Sequence, residues 1–245
     1  MFVTARLGST RLPRKALLPV GGKPALQHLI ERVHLTRRPD LRVLCTTTLP
    51  EDDELARLGQ QLGLEIYRGD PDCVTRRYLG AARQFGVELL VTAEGDDLFA
   101  DPEHMDRTID RYHQTGADLL LCRQLPLGAS CYAVKVSTLL EVEKGFDPAY
   151  TGSFVPPIVE AGRFTIEDIR LNDPALARPD LRMTLDYPED LSFFEAVCMG
   201  LGVGRTPTLK EIICFLDAHP EVRDLNRRVD EKYWANYRRE SGPTR

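Results

Sequence analysis

Short apolar runs alternate with longer amphipathic stretches through the first half of this chain, and that alternation restricts the possible folds more than any other feature. Short apolar runs indicate buried strands, whereas apolar side chains recurring every three or four residues indicate one face of a helix. The pattern predicts strands at 2–5, 42–48, 64–67, 88–93 and 117–122, and helices at 24–36, 52–62, 72–85 and 102–115. We therefore expect a Rossmann-like α/β fold, a mostly parallel sheet with helices on both faces.

The second half of the chain is less regular. Its pattern predicts strands at 129–136, 164–170 and 181–185, helices at 137–145, 188–199 and 208–218, and a marginal helix in the charged tail at 227–245. We expect one main domain over 1–205, whose irregular part is 123–180, followed by a C-terminal helical extension over 206–245.

Composition excludes several classes of function. The net charge of −5 argues against nucleic acid as the main partner. The chain has neither the long apolar run of a membrane-spanning helix nor the N-terminal apolar stretch of a signal peptide. We therefore expect a protein that does not bind the membrane. Its six cysteines are scattered without a C-x-x-C pair, which indicates a reduced, cytoplasmic protein without a zinc site.

The loop after the first predicted strand is rich in basic residues and glycine. It reads RLGSTRLPRKALLPVGGKP over 6–24, with cations at Arg6, Arg11, Arg14, Lys15 and Lys23. Glycine lets backbone N–H groups approach an anion, and arginine or lysine neutralises it, so the loop suits a polyphosphate. It is neither a Walker loop, because Lys23 is followed by Pro24, nor a G-x-G-x-x-G dinucleotide fingerprint. A solvated basic loop without a ligand is the alternative.

Acidic residues follow two other predicted strands. Glu94-Gly95-Asp96-Asp97 comes after the strand at 88–93, and Asp186 comes after the one at 181–185. Because the carboxyl ends of parallel strands meet at one sheet edge, the first acidic run should face the basic loop, where a carboxylate suits Mg²⁺. A simple turn is the alternative for this run. Capping of the helix that Pro188 opens is the alternative for Asp186 and the main interpretation of Glu189 and Asp190.

Three segments resemble one known family. The opening A-R-L-G-S-T-R-L-P-x-K-x-L-L-P-x-x-G-K-P-x-L, the run VTAEGDDLFADP at 91–102 and the run RMTLDYPEDL at 182–191 resemble motifs of the spore-coat-polysaccharide cytidylyltransferase-like family. That family is related to the acylneuraminate and 3-deoxy-manno-octulosonate cytidylyltransferases. The resemblance covers about 1–200 and implies the nucleotide-diphospho-sugar transferase fold. It also implies transfer of CMP from CTP to a sugar acid or phosphorylated acceptor, with release of pyrophosphate, in surface polysaccharide or glycoconjugate biosynthesis.

The resemblance also implies roles for individual residues. Asp96 and Asp186 match the metal ligands, which implies Mg²⁺ as the cofactor. Arg11 and Lys15 match residues that hold the triphosphate, and Lys23 matches one that supports the phosphates or the acceptor. The nucleotide-binding positions it implies are Arg6, Gly8, Ser9, Thr46, Asp72 and Arg77. A homodimer is expected, with 123–180 contributing to both the acceptor site and the dimer contact.

The sequence departs from the family pattern at several positions. Arg14 stands where glycine is usual, Cys73 and Arg76 where aspartate is usual, Asp97-Leu98 where Cys-Pro is frequent, and Gly152-Ser153 where a Glu-His pair is common. The identity of the small anionic acceptor therefore stays open. Two alternatives also stay open: a guanylyl- or other nucleoside triphosphate-dependent sugar-phosphate nucleotidyltransferase, and a non-catalytic nucleotide-sugar-binding homologue.

Overall fold

The computed structural model describes residues 1–145, 153–229 and 232–234. Its strands are β1 (Phe2–Thr4), β2 (Pro19–Val20), β3 (Lys23–Pro24), β4 (Val43–Thr47), β5 (Glu65–Gly69), β6 (Leu89–Glu94), β7 (Leu119–Leu121), β8 (Ala133–Lys135) and β9 (Ile166–Asp168). Its α-helices are α1 (Ala25–Leu35), α2 (Asp53–Gln61), α3 (Val74–Phe85), α4 (Pro102–Thr115), α5 (Val136–Lys144), α6 (Val155–Glu160), α7 (Pro188–Leu201), α8 (Leu209–Ala218) and α9 (Pro220–Arg223). Short 3-10 helices lie at Lys15–Leu17, Pro50–Asp52, Pro174–Leu176 and Asp224–Val229.

Seven strands form one sheet in the order β5-β4-β1-β6-β8-β7-β9, and β2 pairs with β3 in a separate hairpin. β1 runs parallel to β4 and β6, β4 to β5, and β7 to β9, whereas β8 runs antiparallel to β6 and β7. The predicted mostly parallel α/β sheet is confirmed. Because β1 and β6 are parallel neighbours, the loops that follow them leave the sheet side by side.

Both faces of the sheet are covered by helices. Leu44 and Val91 belong to a buried cluster that includes residues of α1, α4, α7 and α8. Their chain neighbours Val43 and Leu90 belong to a second cluster with residues of α3, α5 and α6. Successive side chains of a strand point to opposite faces, so the continuous apolar runs follow from burial on both sides.

The strand predicted at 181–185 is wrong. Its residues are buried, but the only pairing described there is a single bridge between Leu127 and Arg182. The N–H of Leu185 then donates to the carbonyl of Asp96 at 2.8 Å. The apolar pattern therefore reflects an extended, buried connection and not a strand that pairs within the sheet. This connection brings the next residue, Asp186, beside the loop after β6.

The C-terminal extension packs into the core of the main domain. Leu209, Ile212 and Leu216 of α8 lie in the same buried cluster as Phe193 of α7. The division of the chain at residue 205 stays a prediction. α6 was not expected from the sequence pattern; its first turn contains two prolines, which a helix tolerates there because its first N–H groups have no intrahelical acceptor.

The tail helix predicted at 227–245 lies mostly outside the described residues. Residues 227–229 belong to the 3-10 helix Asp224–Val229, and residues 232–234 are helical. In the part of the chain that the structure describes, no helix is long and apolar enough to cross a membrane. The six cysteines form no disulfide bond.

Candidate active site

The basic loop and the acidic loop meet because the backbones at their bases are joined. The N–H of Gly95, just after β6, donates to the carbonyl of Thr4 at the end of β1, at 2.8 Å. A Cβ at position 95 would lie 2.6 Å from that same carbonyl oxygen, so glycine is required for the close approach. The sequence-based expectation that the two loops share one sheet edge is confirmed.

A fully buried carboxylate fixes the start of the basic loop. The N–H of Leu7 donates to Oδ1 of Asp52 at 2.7 Å, and the hydroxyl of Thr47 donates to the other carboxylate oxygen. Asp52 has no exposed surface, and it ends the 3-10 helix that precedes α2. The sequence-based prediction missed Asp52. Thr47 lies only five residues away in the chain, but Leu7 lies 45 residues away, and no local pattern indicates that contact.

Lys15 links the two carboxylates that the sequence singled out. Its Nζ lies 2.5 Å from Oδ2 of Asp96 and 3.0 Å from Oδ1 of Asp186. Burial alone would lower the pKa of Lys15, but the two carboxylates outweigh burial and raise that pKa above its ordinary value. Lys15 is therefore a permanent cation between Asp96 and Asp186.

Asp186 is the more deeply held of these two carboxylates, with a side chain that is 2% exposed. Burial would raise the pKa of Asp186, but Lys15, Arg11 and Arg182 together lower it, so the carboxyl group stays ionised. Arg11 donates to Oδ1 at 2.8 Å, and Arg182 donates to Oδ2 at 3.1 Å. Both oxygens of Asp186 thus have cationic partners.

Asp190 serves the capping role expected of it and also supports Asp186. Its carboxylate accepts the backbone N–H groups of Asp186 at 2.9 Å and Tyr187 at 3.0 Å. It also pairs with Arg182, whose Nε lies 2.9 Å from Oδ1 of Asp190. Capping is therefore the role of Asp190, whereas the Asp186 side chain contacts the cationic groups of Lys15, Arg11 and Arg182.

Glu94, Asp96 and Asp97 form a denser acidic cluster than the sequence suggested. One carboxylate oxygen from each lies within 4.8 Å of the others. Burial, and then the charge of Asp96, raises the pKa of Glu94 to about 7, and the same two causes raise the pKa of Asp97. Mg²⁺ prefers oxygen ligands such as carboxylates, and a cation would relieve the repulsion within this cluster, so these residues fit a magnesium ion held by Asp96 with help from its neighbours.

A cavity of about 650 Å³ opens over these loops. This volume is in the range of small-molecule sites, roughly 300–1,000 Å³. Eight of the residues predicted for the site line the cavity: Arg6, Gly8, Ser9, Arg11, Lys15, Asp72, Arg77 and Asp96. The opposite part of the wall comes from the second half of the chain, through Tyr132, Ser153, Phe154 and Val155. Gly152 lies outside the described residues.

Three predicted site residues do not line this cavity. Lys23, on β3, pairs with Glu31 of α1 at 2.6 Å. Thr46 is fully buried within β4, and neither Thr46 nor Lys23 lines the cavity. Asp186 does not line the cavity, but it contacts two residues that do, Lys15 and Arg11. The roles assigned to these residues stay predictions.

Arg6 and Arg77 support the turn that carries Asp72. Arg6 donates to the carbonyl of Pro71 at 2.9 Å, and Arg77 donates to the carbonyl of Asp70 at 3.0 Å and the hydroxyl of Thr4 at 3.2 Å. Burial lowers the pKa of Arg77. These two arginines therefore join the turn before α3 to the end of β1, and Asp72 stands exposed at the cavity mouth.

Two of the departures from the family pattern have a visible structural setting. Arg14 has a φ of 56°, and it is the one non-glycine residue with a positive φ among the described residues. Glycine adopts this conformation without steric cost, so a glycine is the natural occupant of the position. Arg76 is exposed beside α5, where its Nε lies 3.4 Å from Oε1 of Glu143.

This chain is similar over most of its length to named proteins and solved structures. The spore coat polysaccharide biosynthesis protein SpsF of Bacillus subtilis is 25% identical over 237 residues, which cover 90% of this chain and 95% of that protein. The solved structure of a cytidylyltransferase from Leptospira borgpetersenii serovar Hardjo-bovis matches with a TM-score of 0.83 at 24% identity, covering 91% of this chain and 94% of that one.

A third match carries a bound nucleotide. The structure of CMP:2-keto-3-deoxy-manno-octonic acid synthetase complexed with CTP matches with a TM-score of 0.62 at 18% identity, covering 81% of this chain and 97% of that one. The nucleotide-diphospho-sugar transferase fold is thereby confirmed. Residues 1–148, more than half of the chain, match the family described as cytidylyltransferase. The predicted relationship is therefore confirmed, and this chain belongs to the cytidylyltransferase family.

Proposed function

We propose that this enzyme is a Mg²⁺-dependent cytidylyltransferase that transfers CMP from CTP to a sugar acid or a phosphorylated sugar. The observation that carries the proposal is the contact of Lys15 with both Asp96 and Asp186, directly below a cavity lined by the basic loop. Phosphoryl transfer relies on cations and metal-binding carboxylates positioned around the same phosphates, and this cluster brings both kinds of group together. Membership of the cytidylyltransferase family supports CTP as the nucleotide.

The reaction is an in-line displacement at the α-phosphate. An oxygen of the acceptor forms a bond to the α-phosphorus, the bond from that phosphorus to the β-phosphate oxygen breaks, and the electron pair leaves with pyrophosphate. A sugar-acid hydroxyl releases its proton to solvent in this step, whereas a phosphate oxygen attacks as the anion. Arg11 and Lys15 line the cavity and carry the charge that would neutralise the leaving group. A Mg²⁺ ion held by Asp96 and Asp186 would supply further neutralisation of the phosphate oxygens.

The base is expected to lie near the turn at 70–72. Asp72 and Arg77 line the cavity there, and Arg77 is 4% exposed and held by three acceptors of its own. A rigid turn of this kind can present backbone groups to a base edge, because its position is fixed before the nucleotide arrives. A matching protein, the octonic acid synthetase, was solved with CTP, which supports the same nucleotide here.

Pyrophosphate release is the direct test. We expect release with CTP and Mg²⁺ in the presence of one member of a panel of sugar acids and sugar phosphates, and little release with ATP, GTP or UTP. Chelation by EDTA should stop it. Release with GTP and a sugar phosphate would instead favour the guanylyl alternative. No release with any nucleotide, together with no CTP-dependent rise in melting temperature, would contradict the proposal.

We also propose a homodimer formed through the region 123–180. Support comes from three large apolar side chains of this region that remain 38–43% exposed: Leu140, Val159 and Ile166. Ile166 lies on β9, the last strand of the sheet order, whose outer side has no neighbouring strand among the described residues. Light scattering should give twice the chain mass, and Ile166→Glu should lower it. An unchanged mass would place the contact elsewhere.

A further inference from the structure

The chain after α9 folds back onto the residues that hold Asp186. Asn226, in the 3-10 helix Asp224–Val229, is 2% exposed. Its side-chain amide donates to Oδ1 of Asp190 at 3.0 Å and to the backbone carbonyl of Arg182 at 3.2 Å. The extension is therefore attached to the site by specific, buried hydrogen bonds and not only by apolar packing.

Tyr233 continues this contact. The Cζ atom of Arg182 lies 4.4 Å from the centre of the Tyr233 ring, and the Cζ atom of Arg11 lies 6.0 Å from it. Both distances are within reach of a cation–π interaction, which is strongest where water is excluded. Burial raises the pKa of Tyr233, and the charges of Asp186 and Asp96 raise it further, so the phenol is neutral.

Arg182 is the residue through which these contacts act on Asp186. Its guanidinium donates to Oδ2 of Asp186 at 3.1 Å and to both oxygens of Asp190, at 2.9 and 3.0 Å. Two carboxylates hold the edge of this flat guanidinium, and the Tyr233 ring lies nearer to its Cζ atom, at 4.4 Å, than the Tyr187 ring, at 5.8 Å, so the guanidinium has little rotational freedom. Arg182 thus orients Asp186, and the C-terminal extension orients Arg182.

We propose that Tyr233, supported by Asn226, is a positioning residue for Asp186, so that the C-terminal extension completes the active site. The proposal rests on the proposed function in one respect, the role of Asp186 in holding the metal ion. Without the Tyr233 ring, Arg182 loses the contact on its face and holds Oδ2 of Asp186 less rigidly, while Lys15 and Arg11 still contact Oδ1. Residues that orient metal ligands typically change metal affinity by about 10- to 100-fold when they are removed.

Manganese binding in the presence of CTP tests this directly. Mn²⁺ would be titrated into the full-length protein with saturating CTP, and free Mn²⁺ would be measured by electron paramagnetic resonance. We expect Tyr233→Ala and Tyr233→Leu to weaken Mn²⁺ binding about tenfold, as loss of a residue that orients a ligand predicts. Tyr233→Phe, which keeps the ring, should bind as the wild type does. Leu225→Ala, at an exposed side chain next to Asn226, is the control for a local disturbance of the extension.

Each outcome has a distinct meaning. If the wild-type protein binds no Mn²⁺ with CTP, the proposed function fails. If the wild type binds but Tyr233→Leu binds equally well, the positioning role of Tyr233 is wrong. A loss in Tyr233→Phe as large as in Tyr233→Ala would also overturn it, because the ring face would then not be the operative group. Melting curves without metal identify any variant that is simply unfolded, and Asn226→Ala then provides the second measurement, with a weaker loss of Mn²⁺ affinity expected.

Discussion

The two sides of the cavity are built in different ways. The phosphate side comes from the parallel strands β1 and β6, and its loops are fixed by the Gly95–Thr4 backbone contact and by buried Asp52. The opposite side comes from the second half of the chain and presents Tyr132, Ser153 and Val155. The first side contains eight of the residues that the sequence predicted for the site, whereas the second contains Ser153, at a position where the family pattern commonly has histidine. Under the proposed function, the first side would bind the nucleotide and the second side would select the acceptor.

Replacing Lys15 should give the largest loss of activity. It tests whether the phosphate side of the cavity is essential for the reaction. Lys15→Ala should lower kcat by about 100- to 1,000-fold, the range seen when one preorganised group facing developing charge is removed. Initial rates with CTP would measure it. Lys210→Ala, at an exposed lysine that pairs with Asp173, is the matched control and should keep full activity. Comparable rates for the two variants would refute the assignment.

Asp52→Ala should mainly destabilise the protein. It leaves the buried N–H of Leu7 and the hydroxyl of Thr47 without their acceptor, at a cost of about 1–3 kcal/mol for each buried group. The midpoint of urea unfolding would show this loss, and KM for CTP should rise as the loop loses its anchor. Asp53→Ala, at the adjacent exposed residue, is the control. An unchanged KM in a folded Asp52→Ala protein would mean that the loop is positioned by other contacts.

A change at Val155 should raise KM for the acceptor without changing KM for CTP. Val155 is half-buried and lines the cavity on the side of the second half. Removing apolar contact of this size costs about 1–3 kcal/mol in discrimination, so Val155→Ala should raise KM for the acceptor roughly tenfold. KM for CTP should stay the same. Equal changes in both constants would show that the two sides of the cavity are not separable.

Arg14→Gly should produce the smallest effect, and a favourable one. A left-handed backbone conformation costs a non-glycine residue about 1–2 kcal/mol, and glycine avoids this cost but loses more entropy on folding. The exposed ion pair of Arg14 with Glu54 adds little in return. We expect a gain of about 0.5 kcal/mol or a neutral result in urea unfolding. A clear loss of stability would mean that the Arg14 side chain makes a contribution beyond this ion pair.

The sequence predicted what depends on local pattern and missed what depends on distant contacts. The alternation of strands and helices, and the meeting of the loop after β1 with Asp96, followed from periodicity and from the geometry of parallel sheets. The strand at 181–185 was wrong, because burial on all sides produces the same apolar pattern as a ladder. Asp52, Asn226 and Tyr233 were missed, since nothing in their local sequence shows which distant backbone or side chain they contact.

The ammonium group of Lys15 between Asp96 and Asp186 gives the site its own counter-ion. Under the proposed function, a metal ion held by Asp96 and Asp186 would displace this ammonium, and the triphosphate would offer the ammonium a new partner. The two ligands would then share a coupling free energy, and each would raise the affinity for the other by the same factor. Under the proposed function, this arrangement would keep metal affinity low until CTP binds, and the ammonium would compensate the two carboxylates in the free protein.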